Sequence, residues 1–152
     1  MNILVIEDDE FKFKQIEKTL NKLLKDLNIV WMNSRNSGLF SFIMKNKKTK
    51  SNPYHIVITD NYLPLNEKMD VEPFAEEIVD EIRRLGFSKL QIIICSSEDI
   101  EECDFNYKIK YDSSISLDKT FENIFKKILS SGISLEEMVE EDEKKLKKHI
   151  KL

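Results

Sequence analysis

Apolar residues follow two different spacings along the chain, and the two alternate. Short continuous apolar runs are typical of parallel strands buried on both faces, whereas apolar residues at every third or fourth position are typical of helices with one buried face. The strand-like runs cover residues 3–6, 29–32, 56–58 and 90–95, and residues 107–111 alternate apolar and polar residues well enough for a fifth strand. The helical spacing covers residues 13–27, 39–43, 74–85 and 117–129, and residues 98–103 are expected to add one or two helical turns.

The two patterns follow one another five times, which predicts an α/β fold whose parallel sheet is covered by helices on both faces. Pro73 is expected in the first turn of the third helix, and Gly86 and Gly132 are expected to end the third and last helices. In such sheets, ligands bind beyond the carboxyl ends of the strands, at the point where the strand order reverses. Functional residues are therefore expected at that edge.

Composition limits the classes of protein to consider. The chain has 152 residues, of which 41% are hydrophobic and 34% are charged, as in one soluble domain with a short appendage. The net charge of −4 argues against non-specific nucleic-acid binding. The first apolar run is too short for a signal peptide, and no apolar stretch is long enough for a membrane span. The prediction is a cytoplasmic protein without direct nucleic-acid or membrane partners.

Carboxylates follow two of the apolar runs. Glu7 and Asp8 come directly after the first run, and Asp60 comes shortly after the third. If these strands are neighbours, the three acids meet at one edge, where their repulsion is costly unless a cation or a chemical role compensates. Oxygen ligands of this kind suit Mg²⁺ or Mn²⁺. One carboxylate could instead act as a nucleophile that forms an acyl phosphate.

Two other polar residues lie at predicted strand ends. The Ser96 hydroxyl and the Lys110 ammonium could hold the oxygens of a phosphoryl group. The plainer interpretation of Glu7, Asp8 and Asp9 is that they cap the first helix, since acids favour its positive end, and Asp9 fits that role best. Because the acids, Ser96 and Lys110 all lie at the ends of four predicted strands, a phosphoryl- or metal-binding site is favoured over helix capping alone.

In this order, the residues resemble the response-regulator receiver domain of two-component signalling, over residues 1–130. The matching positions are Glu7-Asp8, Asp60 with Pro64 four residues on, Ser96, and Tyr107 three residues before Lys110. The resemblance implies a flavodoxin-like α/β/α sandwich of three layers. Its five parallel strands would take the order 2-1-3-4-5, here with an extra C-terminal helix.

The resemblance also implies a role for each residue. Asp60 would accept a phosphoryl group from a histidine kinase, a phosphotransfer protein or a small acyl-phosphate donor. Ser96 would bind the phosphoryl group and swing inward, Lys110 would pair with it, and Tyr107 would be the aromatic that changes rotamer on activation. Mg²⁺ or Mn²⁺ would have four protein ligands, namely Glu7, Asp8, Asp60 and the backbone carbonyl of Tyr62.

The chain departs from the family pattern in several places. Tyr111 follows Lys110 where the family usually has proline, often after a cis peptide bond, so a cis bond is not expected here. The loop after Pro64 lacks the usual glycine. The stretch between the third and fourth strands is several residues longer than typical, with the extra length expected at residues 65–72. Ser96 replaces the commoner threonine but keeps the hydroxyl.

Residues 131–152 differ in character and are predicted to form a helical extension of the receiver domain at residues 1–130. Ser134 and Glu137 match a capping box, and acids then precede lysines, as the helix dipole favours. The thin apolar stripe of this segment is typical of a solvated helix that rests on the domain. A docking or dimer helix is the other interpretation.

The favoured hypothesis is a phosphorylation-controlled binding module, not an enzyme beyond metal-assisted phosphorylation and dephosphorylation of itself. Its partners would be the phosphoryl donor protein, a downstream protein and, in a dimer, a second copy. The alternative is a degenerate receiver-like scaffold that acts without phosphorylation, as Tyr111 and the altered loop suggest. A phosphatase with an aspartyl nucleophile is disfavoured because residues 7–9 lack the Asp-x-Asp of that class. A flavin site is disfavoured because acids would repel its phosphate.

Overall fold

The computed structural model describes residues 1–49, 51–100 and 102–140. The strands in these residues are β1 (Asn2–Ile6), β2 (Asn28–Met32), β3 (Ile56–Thr59), β4 (Tyr62–Pro64), β5 (Val71–Pro73), β6 (Gln91–Ser96) and β7 (Tyr107–Lys110). The helices are α1 (Glu10–Leu23), α2 (Arg35–Phe42), which continues into a π-helical segment (Ile43–Thr49), α3 (Ala75–Arg84), α4 (Asp118–Ser130) and α5 (Leu135–Val139). None of these helices combines the length and the apolar content that crossing a bilayer requires.

Five of the strands form one parallel sheet in the order β2-β1-β3-β6-β7. Because β4 and β5 pair only with each other, this order is the predicted 2-1-3-4-5, and the predicted flavodoxin-like fold is confirmed. The chain moves outward from β1 first to one side and then to the other. The strand order therefore reverses between β1 and β3, and their carboxyl ends border the expected binding edge.

Alternate residues of the central strands enter two separate cores, one on each face of the sheet. Ile3 and Val5 lie in a core shared with α1 and α4, whereas Leu4 and Ile6 lie in a core shared with α2 and α3. All four side chains are at most 1% exposed. Burial on both faces explains why the strands are continuous apolar runs without polar alternation.

A short antiparallel hairpin, β4–β5, follows β3 and includes residues 65–72, where the extra length is expected. Pro73 ends β5 and does not start α3, so that prediction was wrong. The Phe74 N–H donates to the Asn61 carbonyl at 2.8 Å. The next pair of this ladder, Tyr62 and Pro73, is therefore not hydrogen-bonded, and proline is tolerated there without an N–H.

The connection from β6 to β7 contains no helix in its described residues, 97–100 and 102–106. The predicted helical turns at 98–103 were wrong, so the fourth of the five predicted β-α units lacks its helix. Ile100, Cys103 and Phe105 pack against the core shared with α2 and α3. Their separations of three and then two residues do not keep to one face of a helix, which favours an irregular segment.

The end of the described chain rests on the domain. The last long helix, α4, ends shortly before Gly132, as predicted, and Gly132 takes a φ of +80°. Ser134 caps α5 by accepting the Glu137 N–H at 3.2 Å, and Met138 is 1% exposed in the core shared with α1 and α4. The lysines predicted further along the extension fall within residues 141–152, outside the described residues.

Candidate functional site

The carboxyl ends of β1 and β3 lie side by side at one edge of the sheet. The Asp60 N–H donates to the Ile6 carbonyl at 3.0 Å, so this pairing continues beyond β3. On the other side of β1, the Glu7 N–H donates to the Met32 carbonyl at 2.9 Å. Carboxylate oxygens of Glu7, Asp8 and Asp60 consequently lie within 4.8 Å of one another. The structure thus brings the three predicted acids together, and they are called the acidic cluster below.

The three acids differ in their access to solvent. Asp8 is exposed, the Asp60 side chain is 14% exposed and the Glu7 side chain is 1% exposed. Burial raises the pKa of the Glu7 carboxyl to about 7; the Lys12 ammonium opposes this shift, and the charge of Asp60 adds to it. The cluster therefore has a buried floor at Glu7 and an open side at Asp8.

A lysine of α1 lies inside the acidic cluster, and the sequence prediction missed it. Lys12 Nζ is 2.6 Å from Glu7 Oε1 and 3.4 Å from Asp60 Oδ2. It also donates to the Cys95 carbonyl at 2.6 Å, and its side chain is 5% exposed. Burial acts to lower the pKa of Lys12, but the charges of the two acids outweigh burial and raise it. One signal was available in the sequence, because position 12 lies one helical turn before Ile16 on the apolar face of α1.

The start of α1 holds Lys12 in this position. Asp9 is the N-cap, as predicted, because its Oδ1 accepts the N–H groups of Phe11 at 2.9 Å and Lys12 at 3.4 Å. The Asp9 N–H in turn donates to Glu7 Oε2 at 3.1 Å. These bonds join the first turn of α1 to the buried acid.

The single tryptophan also contacts the site. Trp31 Nε1 donates to the Glu7 backbone carbonyl at 2.6 Å, and its ring stacks on Phe13 with ring centroids 4.4 Å apart. An indole in this position should respond to changes at Glu7. Trp31 fluorescence is therefore a natural probe of cation binding.

The three predicted residues outside the cluster have different surroundings. Ser96 ends β6, is 1% exposed, and accepts the Glu98 N–H on its Oγ at 3.3 Å. Tyr107 begins β7 and is partly buried against the core shared with α1 and α4. Lys110 ends β7 and is exposed, and its ammonium forms no ion pair with the described part of the chain.

Tyr111, which stands where the family usually has proline, packs against Lys12. The Lys12 Nζ lies 5.0 Å from the centroid of the Tyr111 ring, and the Tyr111 hydroxyl donates to Gln15 of α1. The Tyr111 N–H donates to the Ser96 carbonyl at 2.9 Å. As expected from the missing proline, the described residues contain no cis peptide bond.

The donor atoms at this edge fit a divalent cation. Glu7 Oε1 is buried, and the Lys12 ammonium lies 2.6 Å from it as an ion pair. The Tyr62 carbonyl faces away from β5, since its pair in that ladder is not hydrogen-bonded. Oxygen atoms of this kind are the ligands that Mg²⁺ and Mn²⁺ prefer. The cluster of Glu7, Asp8 and Asp60 could hold such an ion.

Several solved structures share this architecture, although no family model and no curated protein sequence matches the chain. The Mn²⁺-bound form of response regulator Rcp1 has a TM-score of 0.62 at 16% identity, covering 81% of this chain and 90% of that one. The phosphorylated cyanobacterial phytochrome response regulator RcpA has a TM-score of 0.62 at 17% identity, covering 86% and 95%. A response regulator receiver domain from Rhodospirillum rubrum has a TM-score of 0.61 at 18% identity, covering 84% and 94%. The chain has the fold of a receiver domain.

The predicted resemblance to receiver domains is thereby confirmed as a likeness of fold. In this receiver fold, Asp60 follows β3, Ser96 ends β6 and Lys110 ends β7, which are the strand ends that the resemblance indicated. The hairpin β4–β5 follows the carboxyl end of β3, and the irregular connection follows the carboxyl end of β6. They are the parts of this receiver fold that the resemblance did not anticipate in detail.

Glu7 should make this receiver fold less stable as the pH rises. Its folded-state pKa of about 7 lies above the ordinary value of 4.5, so the folded protein holds the proton over a pH range in which the unfolded chain has lost it. The free energy of unfolding should therefore fall between pH 4.5 and about 7, by about 3 kcal/mol for a shift of this size.

Urea denaturation of the wild type and of Glu7→Gln across this pH range measures the effect. The stability of the wild type relative to the variant should fall as the pH rises. His55, whose pKa burial lowers, acts in the opposite direction, but it is present in both proteins and cancels from the difference. A difference that does not change with pH would contradict the raised pKa of Glu7.

Proposed function

We propose that the protein is a phosphoacceptor receiver of two-component signalling, in which phosphorylation of Asp60 switches binding to a partner protein. The observation that carries the proposal is the acidic cluster, which lies where the strand order of a receiver fold reverses. Three neighbouring carboxylates repel one another, so their placement calls for a cation or a chemical role. Metal-assisted phosphoryl transfer to one of the carboxylates supplies both the cation and the chemical role.

Asp60 is the proposed nucleophile. Its Oδ1 accepts the Asn61 N–H at 2.7 Å, which orients the carboxylate, and its Oδ2 faces Lys12. A carboxylate oxygen would attack the phosphorus of an acyl phosphate or a phosphohistidine. The P–O or P–N bond to the leaving group would break, with the electron pair leaving on that group. The product is an aspartyl phosphate, which water hydrolyses to the free carboxylate and inorganic phosphate.

The neighbouring residues have supporting roles in the proposal. Glu7, Asp8 and the Tyr62 carbonyl would hold Mg²⁺ or Mn²⁺ together with Asp60, and the ion would neutralise charge on the phosphoryl oxygens. The buried Ser96 hydroxyl would donate to one of those oxygens. Tyr107 is the proposed aromatic that changes rotamer on activation.

The protein would act as a switch and not as a turnover enzyme. Contacts that form only with the phosphoryl group would favour one of two conformations, and that conformation would bind a downstream protein. The phosphoryl donor would be a histidine kinase or a phosphotransfer protein in the cytoplasm. The formal net charge of −4 is consistent with output through a protein rather than by direct contact with nucleic acid.

Acetyl phosphate tests the phosphoacceptor function directly. Incubation with acetyl phosphate and Mg²⁺ should give an intact-mass increase of about 80 Da, the mass of one added phosphoryl group. Chelation of the metal with EDTA should suppress the increase, because the charge of the incoming group is then not neutralised. Wild-type protein that stays at its starting mass under conditions that phosphorylate a known receiver would contradict the proposal.

A receiver-like scaffold that acts without phosphorylation is the second candidate. It is favoured by the Lys12 ammonium, which already neutralises part of the acidic cluster. The hairpin β4–β5 adds exposed apolar side chains at Tyr62, Met69 and Val71, which could contact a partner. Trp31 fluorescence, recorded during a Mg²⁺ titration and again after acetyl phosphate is added, separates the candidates. Clear responses to both additions would reject the scaffold.

A further inference from the structure

The site contains an ammonium group, but it comes from a different element than the resemblance indicated. Lys110, at the end of β7, is exposed and forms no ion pair within the described residues. Lys12, in the first turn of α1, is 5% exposed and lies within 3.4 Å of oxygens of both Glu7 and Asp60. The buried lysine therefore occupies the charge-neutralising position.

The surroundings of Lys12 hold its ammonium in place. The Cys95 carbonyl accepts a hydrogen bond from Nζ at 2.6 Å, on the side of β6. The Tyr111 ring lies 5.0 Å from Nζ, and its hydroxyl donates to Gln15, one turn further along α1. A tyrosine at position 111 therefore supports Lys12 through a cation–π contact. The tyrosine that replaces the family's proline and the buried Lys12 are therefore in direct contact with each other.

The charges of the group are also informative. When ionised, three carboxylates and one ammonium have a formal charge of −2, which one divalent cation would neutralise. An ammonium at this distance weakens the attraction of the cluster for the metal, but it also attracts phosphoryl oxygens. Its removal should therefore affect metal binding and phosphorylation in opposite directions.

We propose that Lys12, and not Lys110, is the ammonium group of this site. It neutralises Glu7 and Asp60 before a cation binds, and it pairs with the phosphoryl oxygens once Asp60 is modified. The second part rests on the proposed function, whereas the first part holds for the protein without phosphorylation.

Metal binding tests the first part with three charge-removing variants. At a pH well above 7, where Glu7 is ionised, Lys12→Gln should bind Mn²⁺ about tenfold more tightly than the wild type, because a competing positive charge is lost. Lys110→Gln should stay within about twofold, as expected for an exposed charge. Lys14→Gln is the matched control, because Lys14 lies on the same helix, is 66% exposed and pairs with Glu10 at the surface. The loss of the free-ion signal in electron paramagnetic resonance measures bound Mn²⁺ directly.

Each result of the Mn²⁺ titration decides the matter. Tighter binding in Lys12→Gln alone, or binding that appears only in that variant, supports the proposal. An equal effect in Lys110→Gln, an unchanged affinity in Lys12→Gln, or the absence of binding in all of the proteins overturns it.

Phosphorylation tests the second part. At saturating Mg²⁺, the rate of adduct formation from acetyl phosphate should fall about tenfold in Lys12→Gln, be partly restored in Lys12→Arg, and be unchanged in Lys14→Gln. A merely structural role would weaken metal binding and phosphorylation together. Tighter metal binding combined with slower phosphorylation is the signature of the ammonium, and an unchanged rate in Lys12→Gln overturns this part.

Two safeguards keep the outcomes distinct. If the wild type forms no adduct, the proposed function fails, but the Mn²⁺ titration still decides the place of Lys12. If Lys12→Gln does not fold by circular dichroism, the wild type is labelled with an amine-acetylating reagent and mapped by mass spectrometry. Lys12 should then be protected and Lys110 modified. The reverse pattern overturns the proposal.

Discussion

Replacement of Asp60 by asparagine should abolish the acetyl phosphate adduct and weaken Mn²⁺ binding by about tenfold or more, because one of three charged ligands is lost. The asparagine carboxamide is far less nucleophilic than a carboxylate and does not form an acyl phosphate. The fold should survive, since the Asn61 N–H that donates to Asp60 Oδ1 at 2.7 Å can donate to an amide oxygen instead. Intact mass and the Mn²⁺ titration check both expectations.

Asp70→Asn is the matched control, because it makes the same chemical change at an exposed position of the nearby hairpin loop. Its adduct and its Mn²⁺ affinity should equal those of the wild type. The Glu7 carboxyl gives a second readout, since the charge of Asp60 contributes to its raised pKa. In Asp60→Asn that pKa should be lower. An adduct that persists in Asp60→Asn would assign the phosphoryl group to another residue.

The strands and the acidic cluster could be predicted because they depend on local patterns, whereas the order of the strands in the sheet was expected only from the resemblance to receiver domains. An apolar run that ends in carboxylate identifies a buried strand together with its functional end. Glu7 and Asp60 therefore come together through strand pairing alone, with no knowledge of the side-chain packing. Asp9 could likewise be recognised as a cap from its position before the first helix.

Lys12 could not be predicted in the same way. A lysine on a helix is normally solvated, and only the three-dimensional packing shows that this one is surrounded by two carboxylates and the Cys95 carbonyl. Pro73 was wrongly assigned to a helix because proline suits a first helical turn and an unpaired strand position equally well. Pairing with the neighbouring strand β4 places Pro73 in a strand and not in a helix, and this pairing is a tertiary contact.

The connection from β6 to β7 also depends on a tertiary contact, made by Arg83 of α3. Its Nε donates to the Asp104 carbonyl at 3.0 Å, and one terminal nitrogen donates to the carbonyls of Phe87 at 2.6 Å and Leu90 at 2.8 Å. The other terminal nitrogen donates to Asn106 Oδ1 at 2.9 Å. Within the connection, this planar fork binds the Asp104 carbonyl and the Asn106 side chain, and the Phe87 and Leu90 carbonyls tie it to the segment before β6. The irregular path of the connection is thus stabilised from the neighbouring helix.

Arg83→Met should therefore destabilise the protein by about 3 kcal/mol, because the side chain is 8% exposed and its loss leaves buried carbonyls without donors. Arg83→Lys should recover only part of this, since a lysine cannot reproduce the fork. The urea midpoint should fall with little change in slope. Hydrogen exchange should show the earliest opening at Ile92, whose N–H donates to the same Asn106 oxygen at 2.7 Å.

Arg84→Met is the comparison for that experiment, because Arg84 is the next residue along and pairs with Glu81 at the surface. Its urea midpoint should stay close to that of the wild type. The acidic cluster is held by β1, β3 and α1, whereas the hydrogen bonds of Arg83 within the described residues go to the segments before β6 and before β7. Mn²⁺ affinity should accordingly be unchanged in folded Arg83→Met. Equal stability of the two arginine variants would mean that the connection is held by the packing of Ile100 and Phe105 alone.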